Sequence, residues 1–120
     1  MCKVLVIDDD QDILDMLSLI FKRSGIEMKG MTNALELTQH LVPKPAMIML
    51  DVHLEGDNGI NIYRKLKSDT EAKEIPVYIF TGTSKDDLNI DFEPDGFIEK
   101  PFNIAELVNK VRAHCPSVIA

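Results

Sequence analysis

Three short aliphatic runs, KVLVI at 3–7, AMIML at 46–50 and IPVYIF at 75–80, each stop abruptly on a polar residue: Asp8, Asp51 and Thr81. Apolar residues without polar alternation, over so short a length, form the pattern of a strand buried on both faces. Such strands need a covering layer on each side. The segments between them supply it. From Asp12 the residues Ile13, Leu14, Leu17, Leu19, Ile20 and Phe21 recur near helical spacing, and Gly25 after Ser24 makes a helix stop. IEMKGM at 26–31 reads as a weaker strand. Asn33 stands three residues ahead of Glu36, a capping-box spacing that predicts a second helix ending before Pro43. GINIYRKL at 59–66 predicts a third helix, and the polar SDTEAKE leads to the fourth strand, with Pro76 near its start, where a missing donor does least harm. GFIE at 96–99 is a short fifth strand. NIAELVNKVRAH at 103–114 repeats the Asn-x-x-Glu cap before a last helix stopped by Pro116.

Strands and helices thus alternate along the chain, which predicts an α/β domain whose parallel sheet is covered on both faces. No repeat, low-complexity tract or linker interrupts the series, and 120 residues suit one domain, 1–120.

Composition narrows the function. Hydrophobic content of 45% with 28% charged residues describes a soluble globular protein, and no run approaches the roughly 18 apolar residues of a membrane span. The start MCKVLVIDDD does not read as a signal peptide, so a cytoplasmic location is expected, with no membrane partner. A net charge of -7 disfavours nucleic acid, whose phosphates attract basic surfaces. Cys2 and Cys115 match no metal spacing and are expected to be reduced thiols. His40, His53 and His114 form no zinc pattern.

In an open parallel sheet, functional groups gather beyond the carboxyl ends of the strands. Here those ends carry Asp8, Asp9 and Asp10, then Asp51, Thr81 and Lys100. Two carboxylates ~4 Å apart repel by about 1 kcal/mol in water and about 4 kcal/mol at an effective dielectric of 20. Something positive belongs among them: Lys100, and a divalent cation. An all-oxygen ligand set favours magnesium, which commonly holds phosphate oxygens. Carboxylates, Mg²⁺, a lysine and a hydroxyl equip a site for phosphoryl transfer, in which a carboxylate can itself be the nucleophile. A single strand-end Asp would carry almost no functional information, since such residues also cap helices and make turns, and Asp12 reads as a cap or first-turn acid. The convergence at successive strand ends is what separates the site from that ordinary explanation.

At this point the sequence resembles the receiver domain of two-component response regulators. The matching pieces are KVLVIDDD, MIMLDVHLEGDNG, IPVYIFTG and GFIEKPF, in that order. The resemblance implies a flavodoxin-like, doubly wound sheet of five parallel strands in the order 2-1-3-4-5. It implies that Asp51 is the phosphoacceptor, taking its phosphoryl group from a phosphohistidine on a sensor histidine kinase or a phosphotransfer protein. Asp9 would ligate Mg²⁺ directly, Asp8 mostly through water, and the backbone carbonyl of His53 would join Asp51 as a ligand. Thr81 and Lys100 would pair with phosphoryl oxygens, and Gly82 would flank the phosphoryl entry path. Phe97 matches the switch aromatic, although an ordinary core aromatic is the alternative at that position. Pro101 would fix the backbone so that the Lys100 ammonium points into the site. His53 and Thr83 would flank the path of the water that ends the phosphorylated state. The domain would be a signalling switch rather than an enzyme, acting on an unknown downstream protein.

Departures from the pattern are also legible. Glu55 stands where the family usually has proline, and Asn58 replaces a frequent acid before Gly59. Between Thr81 and Lys100 the apolar residues Leu88, Ile90 and Phe92 are spaced by two and followed by Pro94, so the fourth helix is expected to be shortened, distorted or partly replaced by an extended loop. Asp86, Asp87, Asp91, Glu93 and Asp95 against Lys85 read as a solvated acidic loop. Two other functions remain open on the sequence: a binding module of the same fold that no longer uses phosphorylation, and a magnesium-dependent phosphohydrolase with Asp8 as nucleophile.

Overall fold

The computed structural model describes residues 2–54, 57–84, 86–88 and 90–115. Glu55, Lys85 and Pro116, named above, lie outside the described residues. The central sheet holds β1 (Lys3–Ile7), β2 (Glu27–Met31), β3 (Met47–Leu50), β6 (Val77–Thr81) and β7 (Gly96–Glu99), in the order β2-β1-β3-β6-β7. All pairings are parallel. The remaining short strands, β4 (His53–Leu54) and β5 (Asp57–Asn58), form a separate antiparallel hairpin after β3. Counting the five sheet strands alone gives the expected order 2-1-3-4-5.

Strict alternation of side chains divides the core in two. Leu5, Ile7, Ile48, Leu50, Val77 and Ile79 face α2 (Gly59–Ser68) through Ile62, Tyr63 and Leu66. Val4, Val6, Met47, Met49 and Phe80 face α1 (Gln11–Arg23) and α3 (Ile104–His114) through Leu14, Leu17, Phe21, Leu107 and Val111. Each fully buried aliphatic or aromatic side chain contributes about 1.5–3 kcal/mol relative to exposure, and that burial holds the strands in register.

The helix starts follow local chemistry. Asp10 caps α1 by accepting from the Asp12 N–H at 3.0 Å, leaving Asp12 as the first-turn acid. Asn58 caps α2 through Ile60 N–H at 2.8 Å, and Asn103 caps α3 through Glu106 N–H at 3.0 Å, as the Asn-x-x-Glu spacing predicts. Gly59 is required by a close approach: a Cβ there would lie 2.1 Å from the Asp51 carbonyl oxygen. The first turn of α2 therefore seats directly against the end of β3.

Three expectations need correction or refinement. The second helix does not form; a single 3-10 turn, Leu37–His40, stands in its place. Asn33 accepts instead from the Leu35 N–H at 3.0 Å, and Leu35 is 87% exposed. A segment of about ten residues is too short to hold a helix without an apolar face, and here only Leu37 is buried. Cys2 and Cys115 are not free thiols but a disulfide, with their Cα atoms 5.4 Å apart, because the fold brings the start of β1 to the end of α3. The third point concerns the fourth helix. Among the described residues between Thr81 and Gly96 no helix forms and a turn stands at 86–88, which accords with a fourth helix shortened or partly replaced by an extended loop.

The acidic segment is not simply solvated. The Phe92 ring stacks on Tyr63 at 4.8 Å, with the Arg64 guanidinium 5.0 Å from the Phe92 ring centre and ion-paired to Asp91 at 2.5 Å. Asp95 pairs with Lys67 and accepts from the Val77 N–H at 2.9 Å. The Tyr63 hydroxyl accepts from the Asp95 N–H at 3.1 Å. An extended strap thus lies against α2.

Candidate functional site

β1, β3 and β6 end beside one another in the sheet, so the residues that follow them converge. The ladder runs past the strand ends: Asp8 N–H donates to the Met31 carbonyl at 3.0 Å and Asp51 N–H to the Ile7 carbonyl at 2.9 Å. These bonds fix the backbone beneath each carboxylate. Lys100 is brought in by its own N–H, which donates to the Thr81 carbonyl at 2.8 Å, and the Lys100–Pro101 peptide is cis.

The side chains meet where the backbone directs them. Lys100 Nζ lies 2.6 Å from Asp8 Oδ2 and 3.3 Å from Asp51 Oδ2. Asp8 is fully buried, Asp51 is 5% exposed, and Asp9 is exposed. One carboxylate oxygen from each of Asp8, Asp9 and Asp51 falls within 4.8 Å of the others. The second oxygens are oriented from the backbone, Asp8 Oδ1 accepting from Asp10 N–H at 2.9 Å and Asp51 Oδ1 from His53 N–H at 3.1 Å. Asp10, capping α1, stands outside the cluster.

Burial pushes the Asp8 carboxyl above its ordinary value, against the lowering pull of the Lys100 ammonium and the Asp10 N–H. Burial works against the Lys100 charge too, but the Asp8 hydrogen bond and the nearby Asp51 carboxylate outweigh it, and the ammonium sits above its ordinary value. Three carboxylates facing one ammonium leave two negative charges uncompensated, which suits a divalent cation. The donors are all oxygen, so the residues fit magnesium.

Thr81 is fully buried, and its hydroxyl accepts from the Thr83 N–H at 3.3 Å. His53 and Thr83 share a hydrogen bond of 2.7 Å between Nε2 and Oγ1, linking β4 to the loop after β6. A Cβ on Gly82 would have nothing within 4 Å, so that side of the site is open. Phe97 is half-buried on β7, opposite Ile79, and packs on the α2 side of the core.

One neighbour of the site escaped sequence reasoning. The Lys100 ammonium lies 4.6 Å from the centre of the Phe80 ring, which is itself buried and tilted against Phe102 at 5.5 Å. The contact follows from the register Phe80 to Ile98, a tertiary pairing with no local sequence signal. A cavity of about 540 Å³ lies elsewhere, between the 3-10 segment and α2, lined by Leu37, Leu41, Ile62, Lys65 and Leu66. It contains none of the strand-end groups.

Comparison with known proteins agrees with this arrangement. The sequence matches the response regulator receiver domain over residues 4–112. It is 32% identical over 114 residues to the DNA-binding response regulator MtrA of Mycobacterium tuberculosis (strain H37Rv), covering 92% of this chain and 49% of that protein. It is also 32% identical over 114 residues to the phosphate regulon transcriptional regulatory protein PhoB of Pseudomonas aeruginosa, covering 92% of this chain and 50% of PhoB. The chain thus spans about half the length of the curated relatives it matches. The signal receiver domain of a signal transduction histidine kinase from Syntrophus aciditrophicus superposes with a TM-score of 0.83 at 23% identity, covering 100% of this chain and 98% of that one. With its sheet order, its strand-end carboxylates and this match over nearly all its length, the chain belongs to the response regulator receiver domain family.

Proposed function

We propose that this chain is a single phosphorylatable receiver domain, 1–120, that takes a phosphoryl group onto Asp51 from a phosphohistidine and so switches its interactions with a downstream protein. The observation that carries the reading is the position of Lys100 Nζ between Asp8 and Asp51, within a cluster of three carboxylates.

Asp8, Asp9, Asp51 and the His53 backbone carbonyl would hold Mg²⁺, which when bound supplies charge neutralisation for the phosphoryl oxygens. The protein's own groups do the rest. The His53 N–H orients the Asp51 carboxylate, one oxygen of which attacks phosphorus as the bond to the donor imidazole nitrogen breaks. Lys100 pairs with a phosphoryl oxygen, and the Thr81 hydroxyl exchanges its bond to the Thr83 N–H for a bond to another. The open side at Gly82 suits donor entry, while His53 and Thr83 stand where they would meter the approach of hydrolytic water. Phe97 would follow Thr81 as the switch aromatic.

This makes the chain a signalling domain rather than an enzyme, with a sensor histidine kinase or phosphotransfer protein as donor. A cytoplasmic location fits that role, and no described helix is long and apolar enough to cross a membrane. The net charge of -7 argues against direct nucleic-acid binding by this domain. Asp8 is fully buried while Asp51 keeps some exposure at the rim, which weighs against Asp8 as the nucleophile of a phosphohydrolase. The lack of a fourth helix among the described residues favours a second reading, a binding module that has given up phosphorylation.

Intact-mass spectrometry after incubation with Mg²⁺ and acetyl phosphate decides among them. A single labile phosphoryl adduct that maps to Asp51 and vanishes in Asp51→Asn is the expected result. An adduct on Asp8 would establish the phosphohydrolase, and no adduct with either acetyl phosphate or a phosphohistidine donor would establish the binding module.

A further inference from the structure

We infer that Cys2 and Cys115 form a redox-modification site, separate from the strand-end carboxylates, whose reactant is a dithiol reductant. The disulfide joins residues 113 positions apart, with Cα atoms at 5.4 Å, inside the range that a cystine spans without backbone movement. Cys2 lies just before β1, its carbonyl accepting from the Glu27 N–H at 2.8 Å. Cys115 follows the last turn of α3, its N–H donating to the Arg112 carbonyl at 3.0 Å. Asp8 stands at the opposite end of β1 from Cys2, so thiol state and strand-end chemistry can be read independently.

Two features distinguish this bond from an inert staple. Both cysteines are partly exposed, which puts the disulfide at the surface of the fold rather than in its core, on the side from which a reductant approaches. The end of α3 is also held without the bond: Arg112 donates to the Ser24 carbonyl at 3.0 Å, the Tyr78 hydroxyl and His114 Nε2 share a hydrogen bond of 2.8 Å, and Leu107 and Val111 are buried in the core. Reduction therefore removes covalent closure and leaves the seat of the helix in place.

The exchange balances in two steps. One thiolate of the reductant attacks a cystine sulfur, forming a mixed disulfide and releasing the other cysteine as a thiolate that takes up a proton. The second thiolate of the reductant then displaces the remaining cysteine, which is protonated in turn. Two electrons pass to the cystine, and the reductant leaves as its own disulfide. Because the closed loop takes in almost the whole described fold, its opening lowers the melting midpoint by about 5 °C or more.

The test combines native alkylation with melting. Without reductant, iodoacetamide should add nothing to the folded protein. After native treatment with dithiothreitol it should add two groups, with the far-ultraviolet circular dichroism retained and the midpoint lowered, and glutathione disulfide should restore the original midpoint. Cys115→Ser should melt like the reduced protein, take one group at Cys2 and ignore dithiothreitol. Two groups added without any reductant would overturn the assignment. So would a cystine that opens only in denaturant, or a midpoint unmoved by reduction.

Discussion

Asp8 carries two opposing demands: its carboxylate is needed for a cation, yet burial makes that charge costly. A carboxyl whose folded value lies above its unfolded one contributes stability that is full below the unfolded value and is lost as pH rises through the folded one. Asp8→Asn, a neutral mimic of nearly the same shape, should therefore melt above wild type at pH 7 without divalent ions. The advantage should shrink as the pH falls through the raised folded value of Asp8, below which the wild-type carboxyl is itself protonated. Melting curves across that range check the sign; a variant that melts below wild type at neutral pH would show that the Lys100 pair outweighs burial. Lys100 rests on Phe80, and Phe80→Leu should slow phosphorylation by acetyl phosphate several-fold, the order expected from a cation–π contact of about 0.5–2 kcal/mol. In a Lys100→Met background the same change should slow it no further, whereas a purely structural effect would persist. The strand-end residues were legible because a short aliphatic run and an abrupt polar stop are local signals. Phe80 was not, since its contact with Lys100 depends on how β6 registers with β7.

Elements were legible in proportion to the apolar face they present. α1 and α3 have clear helical periodicity and side-chain caps, and both form where expected. The segment 33–43 has a capping spacing but only one buried anchor, and the cap bond goes to a turn instead. The strap at 90–95 reads as irregular, and the sequence gives no hint that Tyr63, Arg64 and Lys67 on α2 hold it. Its energy should reside in the stack rather than in the charges. Phe92→Ala removes a half-buried ring from Tyr63 and should cost about 1–2 kcal/mol in urea unfolding, with faster hydrogen exchange in the strap. Asp91→Asn breaks only a solvent-exposed pair with Arg64, and screening by water should leave stability almost unchanged. The pair holds its Asp91 carboxyl below the ordinary value chiefly through the Arg64 hydrogen bond, so that effect is a local one. Comparable losses from both variants would mean that the strap is held electrostatically.

At the scale of the molecule, the sheet gathers three carboxylates and one ammonium at one rim while the whole chain carries a net charge of -7. Both facts make the folded state work against its own charge, and both are relieved by a cation that binds only when the rim is assembled. Ligands that bind the native but not the unfolded chain stabilise it by mass action, growing with the logarithm of their concentration. Titrating Mg²⁺ should therefore raise the wild-type melting midpoint progressively, while an equal ionic strength of sodium should raise it less, since screening alone does not fill the site. The gain should be lost in Asp51→Asn and in Asp9→Asn, because each removes a ligand charge without emptying the core. In Asp8→Asn the neutral-pH advantage over wild type should narrow as Mg²⁺ rises, since wild type gains from the ion what the variant gains by losing a buried charge. If magnesium and sodium raise all four proteins alike, the rim holds no specific cation and the carboxylate cluster is only a charged surface. A magnesium-specific gain confined to wild type would tie the residues named at the strand ends to a property of the whole fold.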